Sequence, residues 1–273
     1  MKNAMKRSWI YLGLAMALAI PGGAMAQAAD KQAAPAATDA TPAKDPMALA
    51  ALDKMGKALR ALPRFSLTSD ATTEIVLDSG EKIALDGQVS YKVQPPQRMF
   101  VELKSDRKLR QLFYDGTTLT IYAPRLKYYA SAENLGKTLG ELVTTAAQDY
   151  GIEFPLADLF FWGTERAPGD QLTSAIYVGA GTLDGERIDQ YAFRQPGVDW
   201  QVWIAQKTSL PQKLVITSLD DPAMPQYVAR LHWDTTSAMD AKAFTFVPSE
   251  GATRIRLLPI EAVAVEADEE ESP

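Results

Sequence analysis

From Phe65 to Val93 most of the large apolar side chains fall on odd positions and most of the polar ones on even positions. Phe65, Leu67, Ala71, Ile75 and Leu77 alternate with Ser66, Thr68, Asp70, Thr72 and Glu74. After Asp78-Ser79-Gly80, a turn signal, Ile83, Leu85, Val89, Tyr91 and Val93 alternate with Lys82, Asp86, Gln88, Ser90 and Lys92. A period of two is that of a β-strand with one wet and one dry face, the mark of antiparallel sheets. Pro95-Pro96 breaks the run, and Met99, Val101 and Leu103 read as the next strand. Residues 109–114 and 119–122 form a hairpin about Asp115-Gly116. Strands return over 174–179, 187–194, 199–206, 212–218 and 226–234, with Asp184-Gly185 and Pro196-Gly197 as turns. This makes about ten strands without β-α-β alternation, so a parallel sheet is not expected. A helical turn over 240–244 and the aromatic pair Phe244 and Phe246 close the folded region.

Helices are expected in two places. Asp45 suits an N-cap and Pro46 the first helical position; Leu49, Leu52, Met55, Leu59 and Leu62 then share one stripe until Pro63. In the middle of the chain Leu135, Leu139, Leu142, Val143, Ala146 and Tyr150 share a face, and Gly151 is placed to stop that helix. A second short helix begins at Pro155 and carries Leu156, Leu159, Phe160, Phe161 and Trp162 before Gly163. A segment apolar nearly all round is itself buried or covers something apolar.

The fold class is therefore mainly β, of α+β type. Around ten strands in one sheet curl as strand twist accumulates. A curled sheet with one dry face encloses a space that is either filled by side chains or open to a ligand. Trp200 and Trp203 fall on opposite faces of one strand. They and their neighbours serve either as core filling or, with Trp203, Tyr91, Phe113 and Trp162 lining it, as the wall of an apolar pocket.

Residues 1–26 have the form of a secretory signal: Lys2, Lys6 and Arg7, an apolar run over 9–20, then Ala24-Met25-Ala26 as the cleavage site. With its loss the basic residues fall from 28 to 25 against 34 acids, and the net charge moves from −6 to −9. An acidic balance excludes a nucleic-acid partner. It says less about membranes, where local patches matter more than the sum. The absence of cysteine excludes a disulfide, a thiol nucleophile and a lipid-modified N-terminal Cys. Residues 27–44, rich in Ala and Pro, read as a tether; 45–258 is the folded domain; 259–273, with Asp268-Glu269-Glu270-Glu271, is an acidic tail.

The inventory of reactive groups is poor. His232 is the one histidine, so a multi-histidine metal site is excluded, and the chain has no Gly-x-Ser-x-Gly elbow and no phosphate-cradling glycine loop. No catalytic residue, cofactor or metal is expected, and the protein is not expected to be an enzyme.

The order of several short motifs carries a resemblance. Asp115-Gly116-x-x-Leu119-x-Ile121-Tyr122-x-Pro124, Pro155-Leu156-Ala157-Asp158-Leu159 and Trp203 followed by Leu210-Pro211-x-Lys213-Leu214 resemble the LolA/LolB-like superfamily of periplasmic lipoprotein carriers and outer-membrane lipoprotein receptors. More closely, residues 45–255 are similar to a family of predicted periplasmic proteins of unknown function in that superfamily, with 191–200 the most characteristic stretch. The resemblance implies a periplasmic location and an incomplete antiparallel barrel whose internal helices form a lid over an apolar cavity. It also implies a carrier of lipid, lipoprotein acyl chains or another hydrophobic ligand, or alternatively a regulatory or scaffolding protein with an envelope protein partner. A monomer is expected. The candidate ligand-binding residues are Tyr91, Val101, Phe113, Ile121, Leu139, Leu142, Leu156, Leu159, Trp162 and Trp203.

Overall fold

The computed structural model describes residues 44–260. The expected signal sequence, nearly all of the expected tether and the acidic run lie outside the described residues. Helix α1 spans Pro46–Ala61, and the Asp45 side chain accepts the Met47 N–H at 2.8 Å, which satisfies one of the free donors of the first turn. Its buried stripe is Ala48, Leu52, Met55, Gly56 and Leu59.

Six strands follow as one meander: β1 (Phe65–Val76), β2 (Lys82–Gln94), β3 (Arg98–Lys104), β4 (Leu109–Tyr114), β5 (Thr118–Ala123) and β6 (Tyr128–Glu133). Helix α2 (Leu139–Tyr150) is capped by Thr138, whose hydroxyl accepts the Glu141 N–H, while Glu141 reaches back to the Lys137 N–H. It ends at Gly151 in the left-handed conformation. A second meander comprises β7 (Ser174–Leu183), β8 (Glu186–Gln195), β9 (Val198–Ala205), β10 (Pro211–Ser218) and β11 (Gln226–Asp234). The two-residue strand β12 (Thr253–Arg254) is last.

All twelve strands form one sheet in the order β12-β6-β5-β4-β3-β2-β1-β11-β10-β9-β8-β7. Every pairing is antiparallel except that of β12 with β6. The sheet is open, because its two end strands, β12 and β7, do not pair with each other. The seam between the meanders is β1 against β11, with Leu67 opposite Trp233, Ser69 opposite Leu231 and Ala71 opposite Ala229.

This topology has a geometric consequence. Residues 134–173 leave one end of the sheet after β6 and re-enter at the other end as β7. They lie across the apolar face, where Leu135, Leu139, Leu142, Leu156, Leu159 and Trp162 join one hydrophobic cluster with the inward side chains of both meanders.

Two expectations are corrected. The strand count is twelve, not ten. β6 escapes the alternation because its inward residues are Ala130 and Ala132, too small to register as a hydrophobic pattern, and β12 is too short to have one. The helix expected from Pro155 is instead a 3-10 turn over Ala157–Phe160, since Leu156 before it is left-handed (φ 60°) and no α-helix can begin through that residue.

The seam should be where a core deletion costs most. Leu231, 1% exposed in β11, is opposite Ser69 in β1. Leu231→Ala is expected to lower unfolding free energy by about 2–5 kcal/mol in urea titrations. His232→Ala, next to it on the outer face with its side chain 55% exposed, should change it by less than about 0.5 kcal/mol.

Candidate functional site

The candidate site is the apolar face of the sheet and the segment that covers it. Tyr91, Val101, Leu139, Leu142, Leu156, Leu159 and Trp162 are all buried in the one cluster, and Ile121 packs half-buried against it. The structure brings these eight expected residues together.

Phe113 and Trp203 lie elsewhere. On β4 the buried side chains are Leu112 and Tyr114, so Phe113 points to the opposite face. There its ring meets Phe100 at 4.9 Å and Phe246 at 5.4 Å. Phe246 also meets Tyr122 and Tyr129, so the C-terminal stretch after β11 lies over this outer aromatic patch. On β9 the inward residues are Val198, Trp200, Val202 and Ile204. Trp203 is on the outer face beneath the Lys213 ammonium, 4.5 Å from its ring centroid. Both corrections share a cause. These strands carry large apolar residues on both faces, so the period of two sorts them into faces without saying which face is inner.

Trp200 is the tryptophan that matters inside. Its ring stacks on Phe193 at 4.3 Å, Phe193 on Tyr191 at 6.4 Å, and Tyr191 meets Tyr177 at 5.4 Å, an aromatic ladder across β9, β8 and β7. Trp162 of the covering segment docks on the end of this ladder, 5.6 Å from Trp200.

Few polar contacts hold the cover. Arg60 of α1 donates to the carbonyls of Leu159 at 2.5 Å and Phe160 at 3.3 Å, and partial burial lowers its pKa. The Tyr91 hydroxyl donates to the Pro155 carbonyl. Arg166 donates to Thr144 Oγ1 at 2.7 Å on α2 and lies 4.8 Å from the centre of the Phe161 ring. Backbone meets backbone where α1 crosses the end of the cover: a Cβ on Gly56 would sit 2.5 Å from the Gly163 nitrogen. Within the segment, desolvation among the surrounding side chains raises the Asp158 carboxyl to about 6.

Beneath the cover are two buried hydroxyls that the sequence reading did not single out. Ser69 and Tyr227 lie on the inner face of β1 and β11, near enough that the Ser69 hydroxyl acts on the Tyr227 phenol, and neither hydroxyl has a further partner among the described residues. Burial pushes the Tyr227 phenol up to about 12. Tyr227 was within reach of the alternation, since Tyr227, Ala229, Leu231 and Trp233 take turns with Val228, Arg230 and His232 along β11. Two surface clefts are present, one of about 420 Å³ beside Arg98, Asp115 and Lys242, the other of about 260 Å³ beside Lys54, Asp189 and Gln206, with Tyr191 and Ile204 of the inner cluster in its wall. None of the ten expected residues lines either.

Residues 48–258 match the model of a family described as predicted periplasmic protein (DUF2092). Among solved structures, an uncharacterized conserved protein from Thermus thermophilus is 10% identical, with a TM-score of 0.44 over 77% of this chain and 99% of that one. LprF from Mycobacterium bovis is 12% identical, with a TM-score of 0.42 over 72% and 96%. A LolA superfamily protein from Nitrosomonas europaea is 10% identical, with a TM-score of 0.32 over 73% and 97%. No curated protein sequence matches the chain.

Two measurements probe how the cover is held. Gly56→Ala forces a methyl group into the Gly163 backbone and should cost about 1–3 kcal/mol in urea unfolding. Gly169→Ala, with open space around the new methyl, should be close to neutral. The second concerns pH. Because the folded-state pKa of Asp158 is raised above its ordinary value of 3.8 to about 6, the native state holds that proton more tightly than the unfolded chain. Its contribution is full below pH about 4 and is lost as pH rises through about 6. Asp158→Asn should therefore raise stability at pH 8 relative to the parent by about 1–3 kcal/mol and leave the two alike near pH 3.5.

Proposed function

The chain belongs to the DUF2092 family of predicted periplasmic proteins, and we propose that it is a non-catalytic binding protein for an amphiphile, a molecule with one long apolar chain and one small polar end. The observation that carries this reading is the buried hydroxyl pair beneath the cover, Ser69 and Tyr227, which has no partner beyond itself among the described residues. A buried hydroxyl without a partner costs about 1–3 kcal/mol, a cost that a ligand carbonyl or headgroup oxygen removes. The surroundings suit the rest of such a molecule. Leu142, Val101, Leu159 and Trp162 present continuous apolar surface. Each methylene transferred to it from water contributes about 0.8 kcal/mol.

The cover acts as the lid. Its apolar side chains occupy the inner face when no ligand is present, and an entering acyl chain replaces them contact for contact. Arg60, Arg166 and Tyr91 fasten the segment mostly through backbone carbonyls, so the latch survives changes of side chain and is broken by a shift of the segment as a whole.

The test is native mass spectrometry of the protein purified gently from the periplasm, followed by titration with a fluorescent fatty acid. A specific co-purifying lipid and saturable uptake are expected. Tyr227→Phe should fold with equal or greater stability and bind about threefold to tenfold more weakly, since it removes the hydroxyl and little else. Trp162→Glu should weaken uptake by more than about tenfold, and Leu219→Glu, at an exposed turn, should leave it unchanged. A protein that carries no lipid and takes up no fatty acid overturns the reading and favours a protein partner on the same fold.

A further inference from the structure

The chain is acidic as a whole, with 34 acids against 28 bases, yet the part of one sheet end formed by β3–β6 and β12 gathers a cluster of bases. The β3–β4 turn carries Lys104, Arg107 and Lys108, the β5–β6 turn carries Arg125 and Lys127, and β12 adds Arg254. All six are exposed, and among the described residues none lies within ion-pair distance of a carboxylate. Asp106 and Glu250 are the acids in the same turns; the contacts there use their backbone carbonyls, Asp106 accepting from Arg125 at 2.7 Å and Glu250 from Lys127 at 3.4 Å.

The three stretches form one built surface. Arg125 also donates to the Ser105 carbonyl at 3.1 Å, which ties the β5–β6 turn to the β3–β4 turn. The Thr253 N–H donates to the Lys127 carbonyl at 2.8 Å, which ties β12 to the same tip. The β5–β6 turn is closed by the Leu126 N–H on the Ala123 carbonyl at 3.0 Å, with Lys127 left-handed at φ 56°. That closure projects Leu126 outward, 60% exposed, between two cations. Tyr128, 47% exposed, begins β6 two residues on, and Ile255, 50% exposed, follows β12 alongside Tyr129.

A ring of unpaired cations around exposed leucine, isoleucine and tyrosine is the chemistry of a surface that meets anionic lipid. Lysine and arginine gain from the negative surface potential, the apolar tips enter the headgroup boundary, and an aromatic ring with a polar end is favoured at that depth. A soluble acidic partner would satisfy the charges and leave Leu126 in water. We infer that this tip is a peripheral docking site for an anionic phospholipid bilayer. No helix of the described residues is long and apolar enough to cross a membrane.

The experiment is flotation of the mature full-length chain with vesicles of phosphatidylcholine containing about 30% phosphatidylglycerol, against vesicles of phosphatidylcholine alone. The protein should float with the anionic vesicles and not with the neutral ones, and release as salt rises from about 0.05 to about 0.5 M. Arg107→Glu with Lys108→Glu should weaken binding at least about tenfold. Leu126→Ser, which leaves the charge untouched, should weaken it about threefold to tenfold. Lys207→Glu, in the exposed turn between β9 and β10, should have no effect. The inference is overturned if anionic vesicles bind no better than neutral ones, or if Lys207→Glu matches the double reversal. It is also overturned if soluble polyglutamate binds as well as the vesicles and Leu126→Ser changes nothing, the result of an acidic protein site. Flotation needs no acyl-chain uptake, so its outcome is read separately from that of the amphiphile reading.

Discussion

The pairing of β1 with β11 is the constraint on which the rest of the molecule depends. It joins the first long strand to the last across roughly 160 residues of chain, with Thr68 opposite His232 in mid-register. A contact between such distant residues has the entropy of closing a long loop against it, and must be repaid by burial at the seam. Leu67, Ala229 and Leu231 are almost wholly buried there, and the facing pair Ala71 and Ala229 is small. Once the seam forms, both remaining ends of the sheet are fixed, and the chain between β6 and β7 has to travel from one to the other. The cover over the apolar face is thus a product of strand order as much as of its own sequence.

That origin explains the character of the cover. A helix fitted to a groove has a periodic stripe, whereas residues 152–173 have 3-10 turns, a left-handed Leu156 and a left-handed Gly163. Such irregular backbone leaves carbonyls without internal partners, and the side chains of Arg60 and Tyr91 supply the missing donors to Leu159, Phe160 and Pro155. The close approach of Gly56 to Gly163 lets α1 lie near enough for Arg60 to reach. A cover fastened through carbonyls and glycines is tight in one position only, and it lacks the graded packing that would favour intermediate ones.

What the sequence revealed and what it hid follow from the range of each signal. Strands β1 and β2 were legible because one face of each is polar. β6 was not, because alanine carries too little hydrophobic contrast. The inward and outward sides of β4 and β9 were undecidable locally. Phe113 is apolar because Phe246, more than a hundred residues later, lies over it, and Trp203 is covered by the stem and charge of Lys213 on the next strand. In both cases the neighbour that defines the environment is brought by the sheet. Of the eight candidate residues that converge, Tyr91 and Val101 lie on alternating strands, Leu139 and Leu142 on a helical stripe, and Leu156, Leu159 and Trp162 in a segment apolar nearly all round. The hydroxyls of Ser69 and Tyr227 were passed over because a polar side chain among apolar ones gains meaning only when its burial and lack of partners are known.

Net charge hid the basic tip in the same way, since a total records no positions. Its six cations come from three stretches that no local motif would connect; Arg125 on the Ser105 and Asp106 carbonyls, and β12 beside β6, assemble them. The place of the tip sets an orientation. The β3–β4 and β5–β6 turns are at one end of their strands, and the β2–β3 and β4–β5 turns at the other, where the Leu139 N–H at the start of α2 donates to the Pro96 carbonyl. With the basic turns against a bilayer, the strands of this half stand away from it by roughly 20 Å, the length of a six- or seven-residue strand. α2 then begins at the end of this half that is remote from the basic turns.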